Sequence, residues 1–497
     1  MNRNLIFYTV VIAVFGSLIW LVFNQGAKLS VIQSYPTTTG DINEAASVEN
    51  AHITTTAPAG AVAAFLQSLF ANLGHPLSLL LIQIVVIVLL SRLLASLVSK
   101  IGQPMVIGEI IAGILLGPSI LGYFLPGVSQ FIFQAASVPN LNFLSQLGLI
   151  LFMFIIGLEL DIQLLKNKAH TAVVVSHASI IIPFTMGVSL AYFLYERFAL
   201  PHISFLAFGL FMGIAMSITA FPVLARILTD HKLLRTPVGS VTIACAAVDD
   251  VTAWCILAGV VLLTRASAVE VPLWITIFGS MGYVCLNIFV VRRILTRLEV
   301  GYERGGALTH DRLGVILLFA LASAWVTEWL GIHALFGAFL AGTVMPKGHR
   351  FVQALNEKIE GMTVVLLLPL FFAFTGLRTS FGLVSSAEMW FYCFLIIAVA
   401  ILGKFGGSTI AARMSGVPWR EASSIGILMN TRGLIELVVL NIGIDMGVLS
   451  SALFTMMVLM ALVTTFMTSP LLEWVYLAPL RRHERVRADR VQSKSVA

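Results

Sequence analysis

The sequence predicts an all-α polytopic membrane protein of about 14 transmembrane helices. Three observations carry that expectation. Of 497 residues, 58% are hydrophobic and only 11% charged, with a mean hydropathy of +0.96; a soluble domain carries about 25% charged residues. The apolar residues fall in continuous runs of about 20, the length a helix needs to cross a bilayer and too long for barrel strands. Finally, the basic residues gather on every second loop, as the positive-inside rule requires.

In chain order the runs lie near 5–23, 77–97, 103–121, 141–158, 171–195, 203–228, 238–264, 273–295, 312–330, 332–345, 362–377, 388–411, 422–445 and 451–476. With the N-terminus in the cytoplasm and strict alternation, about 23 of the 30 Lys and Arg fall on the cytoplasmic side. Four (Lys28, Arg197, Arg265, Arg378) fall outside, and three (Arg92, Lys404, Arg432) lie within spans. A missed or invented helix would scramble that asymmetry. Both termini are therefore expected in the cytoplasm.

Three regions follow. Residues 1–76 hold a first span and a polar, Thr/Ala-rich stretch over 25–75. The span is longer than the h-region of a signal peptide, so it reads as a signal anchor, and the stretch as a flexible external loop. Residues 77–476 form the membrane domain, and 477–497 a short basic cytoplasmic tail. The net charge of +6 resides in loops between spans, a topology signal rather than a nucleic-acid footprint. Cys245, Cys255, Cys285 and Cys393 all lie in hydrophobic runs and form no C-x-x-C pair, so neither a disulfide framework nor a zinc site is indicated. Nothing calls for a cofactor or for enzymatic chemistry.

The domain repeats itself. Gly108 to Gly113 and Gly337 to Gly342 share the pattern G-x-x-x-A-G. Phe154 to Leu158 resembles the Phe-rich run before Gly376, and Gly213-Ile-Ala-Met216 resembles Gly426-Ile-Leu-Met429. The matched spans differ by seven places, an odd number, so two halves of about five helices (about 103–264 and 332–476) run in opposite directions. Inverted repeats of this kind belong to secondary transporters, with the ion site near mid-membrane.

Each repeat contains a span that should break. The sixth reads Met216-Ser217-Ile218-Thr219-Ala220-Phe221-Pro222. Pro222 lacks a backbone donor and disfavours helix at the residue before it. Its mate reads Met429-Asn430-Thr431-Arg432-Gly433, with Glu436 a turn later. Broken ends at mid-membrane are tolerable only beside a cavity and present half-helix partial charges. Arg432 suits the carbonyl ends. Ser217, Asn430 and Thr431 are candidate cavity residues.

The sharpest feature is Asp249-Asp250 within the otherwise apolar run 240–264. A charge at mid-bilayer costs at least about 2.5–3.5 kcal/mol, and the usual reason to accept that cost is proton or cation handling. Neighbours on a helix point about 100° apart, so one acid can line the cavity while the other meets a partner. Lys404, deep in the twelfth span, is the partner for one of them. Burial weakens the charged form of a lysine and of a carboxylate alike, so such groups can exchange protons near neutral pH. Thr219 and freed carbonyls would add oxygen ligands for a hard cation. Glu109 is a further candidate for the inner funnel. Glu436 is expected to pair locally with Arg432, and Glu159 and Asp161 to be solvated at a helix end.

The motifs AAVDDVTAW, MSITAFPVLARIL, GEIIAGILLGPSILG, FIIGLELD, GKFGG and MNTRGLIELVVLNIG together resemble the cation:proton antiporter family 2, monovalent cation/proton exchangers, over about residues 77–476. The resemblance implies the sodium/proton antiporter fold, with 13 family helices and one extra at the N-terminus, a homodimer, and a core domain that moves as an elevator. It implies that Asp250 binds Na+, or K+, in alternation with H+, that Asp249 is its acidic neighbour, and that Lys404 pairs with Asp249. It places Thr219 at the crossover and Arg432 in the second broken helix. The acidic pair implies electrogenic exchange, for which the membrane potential supplies about 2.3 kcal/mol per charge per 100 mV. Two rival readings stay open: a K+ efflux system or channel, and a sodium-coupled organic-anion symporter on a related fold. A bacterial inner membrane is the expected location.

Overall fold

A computed structural model describes residues 3–29, 75–134, 137–159, 169–201, 203–233, 236–266, 273–305, 308–331 and 333–479. Residues 30–74 of the external loop expected over 25–75, Asp161, and the expected tail from 480 on lie outside the described residues, as do the side chains of Asp250 and Pro222; helix runs to Gly26, into the start of the expected loop. The described chain is all helical, and nine of its helices are long and apolar enough to cross a membrane. Shorter apolar helices, among them Phe205–Ser217 and Ala334–Val344, accompany them.

Each expected run contains helix among its described residues, with boundaries that differ where hydropathy misleads. The eleventh run starts at 362, yet helix begins at His349 and continues through a π-helical turn (Thr363–Leu367) to Leu377. Its first half carries Asn356, Glu357, Lys358 and Glu360 on one face while Phe351, Leu355 and Ile359 are buried on the other. It is thus amphipathic rather than uniformly apolar. Likewise the eighth run continues as helix to Gly305.

Packing sorts the helices into two groups. One holds Pro76–Lys100, Met105–Leu116, Val138–Glu159, His310–Trp329, Ala334–Val344 and the His349–Leu377 rod. Glycines set its spacing. A Cβ on Gly113 would lie 2.5 Å from the Ala373 carbonyl, and one on Gly376 would lie 2.4 Å from Gly113. On the other side, a Cβ on Gly157 would lie 2.2 Å from the Phe339 carbonyl and one on Gly342 2.1 Å from that of Phe154. No side chain fits where backbones approach so closely, and small residues are how membrane helices reach such contact.

The second group contains the two interrupted helices. The first breaks between Phe205–Ser217 and Phe221–Asp230, the second between Trp419–Met429 and Leu434–Asp445. Around them pack a serine-bearing helix (Ala169–Phe198), an acidic helix (Pro237–Ala266), a lysine-bearing rod (Ala387–Ile401, a π turn Leu402–Gly406, then Gly407–Met414) and Ser451–Leu472. Pro222 sits in the first turn of the resumed helix, where its missing N–H costs nothing. The break therefore falls just before the proline, over Ile218, Thr219 and Ala220. The N-terminal helix Arg3–Gly26 docks on this group, Phe23 packing edge-on against Phe205.

Candidate functional site

The two breaks meet. The Ala220 N–H donates to the Thr431 carbonyl at 3.0 Å, and the Thr219 hydroxyl lies 3.2 Å from the Met429 carbonyl. Each interruption thus satisfies part of the other's backbone, as any non-helical segment away from water must.

The first half-helix ends in three exposed-type carbonyls, and cations from other segments take all three. The Arg432 guanidinium forks across Ala215 and Met216, each at 2.6 Å, while Lys404 Nζ donates to Ser217 at 2.5 Å. Both side chains are fully buried. Cations at the carbonyl end of a helix oppose its negative partial charge, and the planar fork of Arg suits two adjacent acceptors. Thr465 fixes the backbone of Arg432 from both sides, accepting from its N–H at 3.0 Å and donating to its carbonyl at 2.7 Å.

Lys404 has three ammonium protons and three acceptors in reach: Ser217 O, Ser179 O at 2.8 Å and Asp249 Oδ2 at 3.0 Å. Asp249 is likewise surrounded by polar partners. Its Oδ1 accepts from Ser176 Oγ at 2.6 Å, and its Oδ2 lies within hydrogen-bonding reach of Ser179 Oγ at 2.7 Å, Thr219 Oγ1 at 2.9 Å and Lys404 Nζ. Asp249 and Lys404 form a buried, hydrogen-bonded ion pair with no exposed surface on either side chain. The lysine lies in the π turn, a device that shifts the register of a helix face and recurs at functional sites.

Arg432 also approaches Glu436 Oε1 at 3.2 Å, one turn along the same segment. Among the described residues neither carboxylate oxygen of buried Glu436 has a donor in hydrogen-bonding geometry, so this contact is electrostatic. At the second break, Asn430 Oδ1 and Thr431 Oγ1 are buried and equally unpartnered among the described residues. The Ser217 hydroxyl donates back to Ile214 and only its carbonyl joins the cluster. Glu109 is buried on Met105–Leu116, within electrostatic reach of Arg92, and makes no hydrogen bond or ion pair to the cluster. Glu159 is exposed and accepts from Asn356. Asp250 follows Asp249 on the same helix. Sequence reasoning did not find Ser176, Ser179 or Thr465. The available signal was the i, i+3 spacing of the two serines on an otherwise apolar helix.

Comparisons with known proteins converge. The family described as sodium/hydrogen exchanger, transmembrane, matches residues 56–474. The chain is 43% identical over 406 residues to the Na(+)/H(+) antiporter NhaS4 of Synechocystis, covering 82% of this chain and 99% of that protein. It is 43% identical to cation/H(+) antiporter 17 of Arabidopsis thaliana and 35% identical to K(+)/H(+) antiporter 1 of Saccharomyces cerevisiae, with 81% and 82% of this chain covered. It spans about half the length of those two, 49% and 47%. In fold it resembles the sodium proton antiporter MjNhaP1 of Methanocaldococcus jannaschii, with a TM-score of 0.57 at 14% identity, covering 80% of this chain and 97% of that one. A helical membrane chain with crossed helix breaks, a buried Asp–Lys pair and relatives of this kind belongs to the sodium/hydrogen exchanger family of transporters.

Proposed function

We propose that this protein exchanges a monovalent cation, Na+ or K+, for protons across a membrane. The observation that carries the reading is a charge balance at the crossed breaks. Lys404 and Asp249 form one opposite pair, Arg432 and Glu436 another, so the four sum to zero. The sequence places a further acid, Asp250, next to Asp249 on the same helix. A carboxylate within a membrane span is costly unless a proton or a small cation neutralises it, and in this reading Asp250 takes either one. Competition between the two is exchange. Asp249, tied to Lys404 and the Ser176 hydroxyl, acts in this reading as the proton-linked partner of Lys404 rather than as the cation's main ligand. Thr219, Asn430, Thr431 and Ser217 supply neutral oxygens of the kind alkali cations take. The relatives' names, Na(+)/H(+), K(+)/H(+) and cation/H(+) antiporter, support the reaction class.

The helix arrangement supports an inverted repeat of five helices within about 14 spans. Under such a repeat the third span corresponds to the tenth and the fourth to the eleventh. The close contact of Gly113 with Gly376 then maps onto that of Gly342 with Gly157, and the contact between the two breaks maps onto itself. The two packing groups fit a moving core and a static scaffold, the latter pairing in a homodimer. We place the chain in a bacterial inner membrane with both termini cytoplasmic and the exchange electrogenic.

Proteoliposomes with an internal pH dye and an imposed proton gradient test this. Addition of Na+ or K+, but not choline, is expected to alkalinise an acidified lumen, and Asp250→Asn is expected to abolish the response. A folded, reconstituted protein that answers neither alkali cation overturns the proposal.

A further inference from the structure

The two helix groups are stitched together at one end by a polar cluster that the exchange site does not use. Arg378 closes the His349–Leu377 rod of the first group. Its Nη1 donates to Asp445 Oδ1 at 2.7 Å and to Asn441 Oδ1 at 3.2 Å, both on Leu434–Asp445 of the second group. The guanidinium lies 4.4 Å from the centroid of the Phe374 ring, which backs it on its own helix. Below the ion pair, buried Asn441 donates to Thr375 Oγ1 at 2.8 Å and to the Leu437 carbonyl at 2.9 Å. Thr375 and Asn441 are buried, whereas Arg378 and Asp445 are half-exposed. Asn441 and Asp445 are one turn apart and Thr375 and Arg378 nearly so, so the two helices face each other along a polar strip.

We propose that Arg378, Asn441 and Asp445 form a latch that holds the second broken helix against the neighbouring scaffold rod and keeps this end of the seam closed. Resting on the exchanger reading, the latch belongs to one of the two access states. A sliding core must part Arg378 from Asp445 and Asn441 from Thr375 together, because both core-side residues, Asn441 and Asp445, stand on one helix that follows the break. The layering matters. The half-exposed ion pair alone would be a weak tie, but it covers a buried amide–hydroxyl hydrogen bond whose loss leaves one Asn441 amide proton without its acceptor. Opening is thereby made cooperative over about two helical turns.

The test reads opening directly rather than transport. In a background with the four cysteines replaced, Thr375→Cys places a thiol beneath the ion pair, and membrane-impermeant maleimide is added to either face of oriented vesicles. Labelling from the Arg378 face is expected to be slow and to rise about threefold to tenfold on Asp445→Ala, the factor a tie of this strength gives an opening equilibrium. Asp445→Asn, which keeps the shape, is expected to show the same rise in smaller measure. The swap Arg378→Asp with Asp445→Arg is expected to return the rate toward that of the unswapped protein. Labelling that is indifferent to Asp445→Ala and Asp445→Asn, or a swap that labels as fast as either single change, overturns the latch. Because the readout is independent of cation flux, a protein that transports nothing but labels in this pattern would sink the exchanger reading and leave the latch standing.

Discussion

Removing the Lys404 ammonium should damage this protein more than removing it together with its partner. Lys404→Met strips three donors from buried acceptors: the carbonyls of Ser179 and Ser217 and the carboxylate of Asp249. It leaves the Asp249 charge held only by the hydroxyls of Ser176, Ser179 and Thr219. Breaking one side of a buried pair costs about 3–5 kcal/mol, chiefly the price of the stranded charge. Asp249→Asn strands the ammonium instead and falls in the same range. The double variant strands neither charge. Its remaining cost is two uncapped carbonyls, at about 1–3 kcal/mol each. The double variant is therefore expected to be no less stable than the worse single one, with a coupling of about 3 kcal/mol or more between the sites. Unfolding in detergent by SDS titration, monitored by tryptophan fluorescence, measures all three variants. Additivity within about 0.5 kcal/mol would refute the pair as a unit and with it the charge balance on which the exchange reading rests.

Two further outcomes follow from the packing. Arg432→Gln should cost about 2–4 kcal/mol, because two buried carbonyls lose charged donors; Arg432→Lys should recover less than half of that, since a single ammonium cannot fork across Ala215 and Met216. The same SDS titration reports both. Gly157→Ala and Gly342→Ala should each cost about 1–3 kcal/mol through overpacking, whereas Gly361→Ala, where an added Cβ meets nothing within 4 Å, should be neutral or stabilising, as read by thermal melting of the purified protein.

The parts of this architecture that announced themselves in the sequence are those where water is expensive to replace. An acid, a lysine or an arginine inside an apolar run cannot be hidden by composition, so Asp249, Lys404 and Arg432 stood out, as did Pro222 marking a break. What met them was harder to see. Ser176 and Ser179 carry half of the donors to Asp249, but a serine in a membrane helix satisfies itself on its own backbone, as Ser179 also does toward Ser176, so its presence carries no demand for a partner. The π turn around Lys404 depends on how Gly403 and Gly407 settle against Pro183 and Ile182 of the facing helix, a tertiary matter. From sequence Arg378 is an outside charge beyond a span, because a basic residue at a helix end needs no partner but water. Its neighbours Asn441 and Asp445 lie 63 and 67 residues away.

The two breaks meet but differ in how their end carbonyls are satisfied, and the difference bears on where a cation would be accommodated. At the first, the terminal carbonyls of Ala215, Met216 and Ser217 are all capped by full positive charges. At the second, the Leu428 carbonyl is taken by the local Thr431 N–H, and Met429 has only the Thr219 hydroxyl. That hydroxyl owns a single proton and stands within reach of both Met429 O and Asp249 Oδ2, so it can serve one acceptor at a time. A half-helix end carries about half a negative elementary charge. At the first break the end carbonyls are taken by charged donors; at the second they meet only local or shared neutral donors, and the unpartnered oxygens of Asn430 and Thr431 lie beside them. Both buried cations cap the first break, so the uncommitted oxygen lies at the second, Met429 to Thr431, and under the exchange proposed above that is the side to which an alkali cation would turn.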